Sequence, residues 1–136
     1  MSEPPVRIAH VSEIATPASA DPGDAPWRAV RHAFGIGSFG VSAYVAEAAG
    51  DVFTSEHDEV DTRHEELFFV ASGRAAFTVA GETFDAPSGT FVYVRDPALV
   101  RGATAVEPGT TLLAIGGEPG KAYEISAWER KYLPRG

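Results

Sequence analysis

The stretch EHDEVDTRHEE (56–66) carries two histidines and six carboxylates in eleven residues, and the apolar run LFFVA (67–71) follows at once. Imidazole and carboxylate are the side chains that bind divalent ions and move protons near neutral pH. His64 and Glu66 stand two residues apart, as do His57 and Glu59. Residues two apart on a strand share a face. With a strand starting near Arg63, His64 and Glu66 share a face with Phe68 and Val70, while Glu65, Leu67, Phe69 and Ala71 share the other. Both faces turn apolar from Leu67 onward, so both are expected to be buried, with His64 and Glu66 at the mouth of that region. Such a pair could hold one divalent ion. It could equally act as an acid–base pair. A solvated charged loop before a strand is the plain alternative, and the local residues leave all three open.

The elements that must position these side chains are short and frequent. FGVSAYVAEA (39–48), LFFVA (67–71), RAAFTVA (74–80), ETFDA (82–86), TFVYV (90–94) and TTLLAIGG (110–117) read as strands, with turns at Gly50-Asp51, Ser72-Gly73, Gly81, Pro87-Ser88-Gly89 and Glu107-Pro108-Gly109. WRAVRHAF (27–34) also reads as a strand, and the runs meeting at Ser72-Gly73 read as a hairpin. Short strands at this spacing predict an all-β sandwich or barrel. SAWERKYL (126–133) is the one expected helix, with Ser126 and Glu129 at capping-box spacing and Pro134 as a stop. Five of the ten prolines lie in the first 26 residues. Residues 1–26 therefore read as an extension, with a short edge strand at VRIAHV (6–11), and 27–136 as a single domain.

Composition narrows the function classes. The 136 residues are 44% hydrophobic and 22% charged, enough for a core. A net charge of −8 repels phosphate backbones, so nucleic acid is not an expected partner. With no cysteine there are no disulfides, thiolate metal sites or cysteine nucleophiles, which fits a cytoplasmic protein. No apolar run reaches membrane-spanning length. GIGSFG (35–40) matches the dinucleotide pattern G-x-G-x-x-G, but the following VSAYV favours a strand where that site needs a helix.

HEELFFVASGRAAFTVAGETFDAPSGTFVYV (64–94) resembles the cupin superfamily of small jelly-roll barrels. Glu66 stands seven positions before Gly73, matching that family's Glu-to-Gly spacing, and Pro87-x-Gly89 resembles the turn before its second-motif strand. The resemblance covers roughly residues 39–115. It implies a double-stranded β-helix barrel with one short C-terminal helix, a small-molecule ligand, a homodimer and one divalent ion as candidate cofactor. The departures lie at the metal. Family spacing puts the paired histidines where this chain has Glu59 and Asp61 or Val60 and Thr62, and no histidine follows His64. Arg101 lies nearest the place of the last ligand; a guanidinium cannot ligate a cation but binds carboxylates well. The candidate metal ligands are His57, Glu59, His64 and Glu66, the candidate catalytic groups Glu66 and His64, and the candidate ligand contacts Arg101 and Tyr44. The expected function is a small-molecule cupin with an atypical metal site; a metal-free binding or sensor protein is the alternative. The segment 6–11 is expected to add a strand to a partner copy.

Overall fold

The computed structural model describes residues 4–16, 25 and 27–132, with the side chains of Trp128 and Tyr132 left aside. The Pro-rich stretch at 17–24 and the stop at Pro134 lie outside the described residues. In chain order the elements are β1 (Trp27–Arg28), α1 (Val30–Phe34), β2 (Gly40–Val45), β3 (Val52–His57), β4 (Glu65–Ser72), β5 (Arg74–Val79), β6 (Glu82–Pro87), β7 (Phe91–Val94), β8 (Arg101–Ala105), β9 (Thr111–Gly117) and α2 (Ala127–Tyr132). Strands β1-β2-β9-β4-β7 form one antiparallel sheet and β3-β8-β5-β6 the other. No helix among the described residues is long and apolar enough to cross a membrane.

Alternation along the strands places the core between the sheets. Phe68 and Val70 of β4 and Leu112 and Ala114 of β9 face Phe77 of β5 and Ala103 and Ala105 of β8. The Phe68 and Phe77 rings meet 5.2 Å apart, centroid to centroid. Small residues at the facing positions let large ones interlock at interior density. The outer face of β4 is only half-buried: Phe69 stacks on Phe91 at 4.5 Å, and Ala71 is exposed. The expected burial of both faces therefore holds for the inner one alone, because no further layer among the described residues covers the outside of this strand.

The Ser72-Gly73 turn is not a hairpin. β4 pairs with β7 and β9, whereas β5 pairs with β6 and β8, so the chain changes sheets at Gly73. Gly73 has φ 77, and a Cβ there would lie 2.7 Å from the Thr110 Cα. Only glycine combines that left-handed backbone with so close an approach. The buried Thr110 hydroxyl holds the corner, accepting from the Arg74 amide at 3.1 Å and donating to the Glu107 carbonyl at 2.7 Å. The true hairpin joins β5 to β6 through Ala80 and Gly81, both at positive φ, as a two-residue primed turn requires.

Two segments read as strands take other forms. In 27–34 only Trp27 and Arg28 are strand; Val30–Phe34 are helix, ended by Gly35 at φ 67. GIGSFG thus follows a helix and precedes a strand, the reverse of a dinucleotide site. Residues 6–10 form no strand, and Val11–Glu13 make a 3-10 turn in which the His10 ring accepts from the Ser12 amide at 3.2 Å and the Glu13 carboxylate from the His10 amide at 2.7 Å. Local capping has outcompeted strand pairing there. The Arg7 guanidinium ties this segment to α1 by donating to the carbonyls of Ala33 at 2.8 Å and Phe34 at 3.2 Å. Ile14 is buried and Ala25 joins the core cluster, so packing begins ahead of Trp27.

Candidate functional site: a paired acid–base floor beneath a cavity

β3 delivers His57. Its register against β8 slips twice, between Val52 and Thr54 and between Thr54 and His57, and ends with His57 opposite Arg101. Such extra residues bend a strand and re-aim its last side chains. The chain then makes one helical turn, in which the Glu59 amide donates to the Pro97 carbonyl at 2.8 Å and the Arg63 amide to the Glu59 carbonyl at 2.7 Å. Arg63, at φ 59, ends the turn two residues before β4, whose second residue is Glu66. Glu66 precedes Phe68 and Val70 on the inward face, so core packing of those two residues fixes the direction of the carboxylate.

His57, Glu59 and Glu66 each offer a donor atom within 4.8 Å of the others. His57 Nε2 lies 2.8 Å from Glu59 Oε2, and its Nδ1 lies 2.8 Å from the Ser55 carbonyl oxygen. The Thr62 hydroxyl donates to Glu59 Oε1 at 2.7 Å. Arg101 donates from Nη1 to Glu66 Oε1 at 2.7 Å, and its other nitrogens reach the carbonyls of Leu99 at 2.9 Å and Asp96 at 3.2 Å. The floor underlies a cavity of about 620 Å3 whose walls include Trp27, Tyr44, Phe68, His64 and Tyr123. His64 is outside the three-donor group; its ring packs on Tyr123 with centroids 5.8 Å apart. Gly40 admits Tyr123, whose phenol oxygen would lie 2.7 Å from a Cβ there.

This two-sheet architecture recurs in solved structures. A cupin protein from Bacteroides fragilis superposes with a TM-score of 0.65 at 17% identity, over 91% of this chain and 93% of its own. A sugar phosphate isomerase of the cupin superfamily from Silicibacter pomeroyi gives 0.66 at 14%, over 82% of this chain and 76% of its own. The chain has the cupin fold. KdgF from a Halomonas species aligns similarly, with a TM-score of 0.63 at 16% identity over 84% of this chain and 91% of its own. Neither a family model nor a curated protein matches the sequence.

Within this cupin fold the floor is electrostatically closed. The nitrogens of His57 face a carbonyl and a carboxylate, with the Thr54 hydroxyl also 3.2 Å from Nδ1, an arrangement that favours the protonated ring. The hydrogen bond that His57 donates to Glu59 raises its pKa above the ordinary 6.5, against the opposing pull of burial. For Glu59, burial pushes the pKa up, but the hydrogen bonds from His57 and Thr62 and the charges of His57 and Arg101 outweigh it, so the net direction is down. Glu66 moves the other way: burial and the neighbouring Glu59 charge raise it despite the Arg101 bond. Burial, with the charges of Glu66 and Glu59, also holds the Tyr44 phenol well above its ordinary value.

The donor set fits a divalent ion in type and spacing. The Nε2–Oε2 separation of 2.8 Å is close to the edge between neighbouring ligands on one ion, roughly 3 Å for bonds near 2.1 Å. The Ser55 carbonyl would hold Nδ1–H and leave Nε2 for the metal. Arg101 is not part of the cavity wall. It has no exposed surface and spends its guanidinium on Glu66 and two carbonyls, so it stands behind the carboxylate where an anionic ligand cannot reach it.

Thr62, Tyr123 and the pair Arg31–Glu129 are site residues that the sequence reading passed over. Arg31 Nη2 donates to Glu129 Oε2 at 2.6 Å across 98 positions, with both residues 7% exposed, and fastens α2 against α1 beside the cavity. Ser126 caps α2 as expected, accepting from the Glu129 amide at 3.1 Å. The Glu129 carboxylate goes to Arg31. The capping box gave a signal for this helix but not for its partner.

Proposed function

We propose that this cupin binds a small molecule in the cavity and exchanges a proton with it through His57 as acid and Glu66 as base, without a resident metal. The observation that supports this is the charge balance of the floor. Two cations, the His57 imidazolium and Arg101, meet two carboxylates, Glu59 and Glu66, at 2.8 and 2.7 Å. A dication added there would displace one proton and leave excess positive charge in a buried site, which is costly. Glu66 Oε2 accepts no hydrogen bond among the described residues, and Glu66 lines the cavity. A carboxylate of raised pKa beside an imidazolium of raised pKa is a matched base and acid. Tyr44, also in the wall, is a neutral hydroxyl that can orient a ligand oxygen. Isomerase chemistry named for a fold neighbour at 14% identity does not transfer on fold alone.

The donor spacing favours a second reading, in which His57, Glu59 and Glu66 hold one divalent ion. Bound there, the ion would supply Lewis-acid polarisation. Elemental analysis of untagged protein, with thermal unfolding before and after chelation, separates the two readings. Under the first, no transition metal reaches one ion per chain and the chelator leaves the Tm unchanged. One retained ion per chain, with a Tm that falls on its removal, would overturn the first reading in favour of the second.

A further inference from the structure

The cavity's charge is unevenly displayed. Five carboxylates line it, from Asp58, Glu59, Asp61, Glu66 and Glu129, and among the described residues no lysine or arginine does. The guanidiniums that balance two of them stand behind: Arg101 with no exposed surface behind Glu66, and Arg31, 7% exposed, behind Glu129. His57 balances Glu59 and is engaged at both ring nitrogens. Asp58 and Asp61, exposed at one side of the wall, make no ion pair among the described residues. Apart from His57, which is already engaged by Glu59 and Ser55, the charge a ligand meets is therefore that of carboxylate oxygens. The whole chain carries −8 and adds a field of the same sign.

The rest of the wall is suited to a flat apolar body. Trp27, Tyr44, Phe68 and Tyr123 contribute aromatic rings, and Val41 and Ala114 fill between them. The Trp27 indole is oriented by its N–H, which donates to the Ser42 hydroxyl at 2.8 Å. The half-buried Tyr44 lines this cavity, and its hydroxyl has no hydrogen-bond partner among the described residues. That hydroxyl is free to donate to, or accept from, a polar group of a ligand. Aromatic faces and carboxylates together are the surroundings that stabilise an organic cation.

We infer that the cavity, taken as the binding site proposed above, selects a cationic small molecule: an ammonium group directed at the carboxylates and carried on an apolar or aromatic body. The geometry disfavours phosphates and carboxylic acids, which would meet five carboxylates with Arg31 and Arg101 behind them and no arginine in the wall among the described residues. A cavity of about 620 Å3 also has room for far more than a single ion. Its volume falls within the range of roughly 300–1,000 Å3 typical of small-molecule sites.

Three probes of one shape test this: 2-phenylethylamine, 2-phenylethanol and 3-phenylpropionate, titrated into the full chain at low salt and followed by NMR. Shifts of the Trp27, Tyr44 and Tyr123 ring signals locate the binding. The amine is expected to bind at least about tenfold more tightly than the propionate, with the alcohol between, and added salt should shrink the difference. The double variant D58N/D61N is expected to narrow the amine's advantage by about threefold or more while leaving the alcohol unchanged. Equal or tighter binding of the propionate at the same ring signals overturns the cation preference and leaves the cavity reading intact. Failure of all three probes to move those signals overturns both.

Discussion

Replacing Arg101 by methionine isolates the contribution of the buried pair. Methionine keeps most of the side-chain volume, so the change is mainly electrostatic. It removes the 2.7 Å bond to Glu66 and the two bonds to the carbonyls of Leu99 and Asp96, all in a region where Arg101 has no exposed surface. Glu66 would then face Glu59 with no cation of its own. A charge pair about 4 Å apart at an effective dielectric near 20 is worth about 4 kcal/mol. Breaking one side of a buried pair costs about 3–5 kcal/mol, so that is the expected loss at pH 7. The loss should shrink in acid. Glu66 already has a raised pKa, and losing Arg101 removes the hydrogen bond and charge that hold it down. A group whose folded pKa is raised regains stability as pH falls through that pKa, here from neutral toward pH 5. Urea unfolding followed by the fluorescence of Trp27 and Trp128, at pH 7 and pH 5, measures both effects. Glu66→Gln in the Arg101→Met background removes the orphaned charge, and the pair should couple by about 2 kcal/mol or more. Coupling within about 0.5 kcal/mol of zero would refute the reasoning, because Arg101 would then act by packing alone.

Two further outcomes follow from the geometry. His57 should titrate above 6.5 in the folded chain and fall toward it in Glu59→Gln, as read by NMR of the ring protons. Because the shift is upward, the stability it brings is complete below pH 6.5 and fades as pH rises through the folded value. A pKa unmoved by Glu59→Gln counts against the pair. Gly73→Ala should cost at least about 2 kcal/mol, since it combines a strained positive φ with a methyl group pressed on the Thr110 backbone. A cost below 1 kcal/mol in urea unfolding would show the corner to be pliable.

Much of the barrel was legible because its inner strands follow the period of two. Glu66, Phe68 and Val70 could be placed on one face from spacing alone, and the turns carry their usual glycines. β3 was hidden because its two register slips break the alternation and its end, SEH, is polar. β8, RGATA, offers small residues and a buried arginine, which no hydrophobic pattern marks. α1 was masked by its composition: valine, histidine and phenylalanine beside glycines read as a strand, and only tertiary packing decides otherwise in five residues. Within the site, spacing paired His57 with Glu59 and His64 with Glu66, and the resemblance set all four together; the structure groups His57, Glu59 and Glu66. The position of His64 against Tyr123, and of Arg101 behind Glu66 and not in the wall, depends on contacts between distant elements and leaves no local trace.

The Arg31–Glu129 clasp bears on the order in which the molecule can be made. One arm lies in α1 and the other 98 residues later in α2, so this contact closes one of the longest loops in the chain. Tyr123, Ser126 and Ala127, which also line the cavity, arrive with the same late segment. Synthesis proceeds from the other end, and earlier strands can pair as they emerge. The cavity wall therefore closes only when the last segment docks, after β9 has completed its sheet. A chain cut just before residue 123 would keep every strand and leave the cavity open on one side, so ligand capture would report the docking of α2.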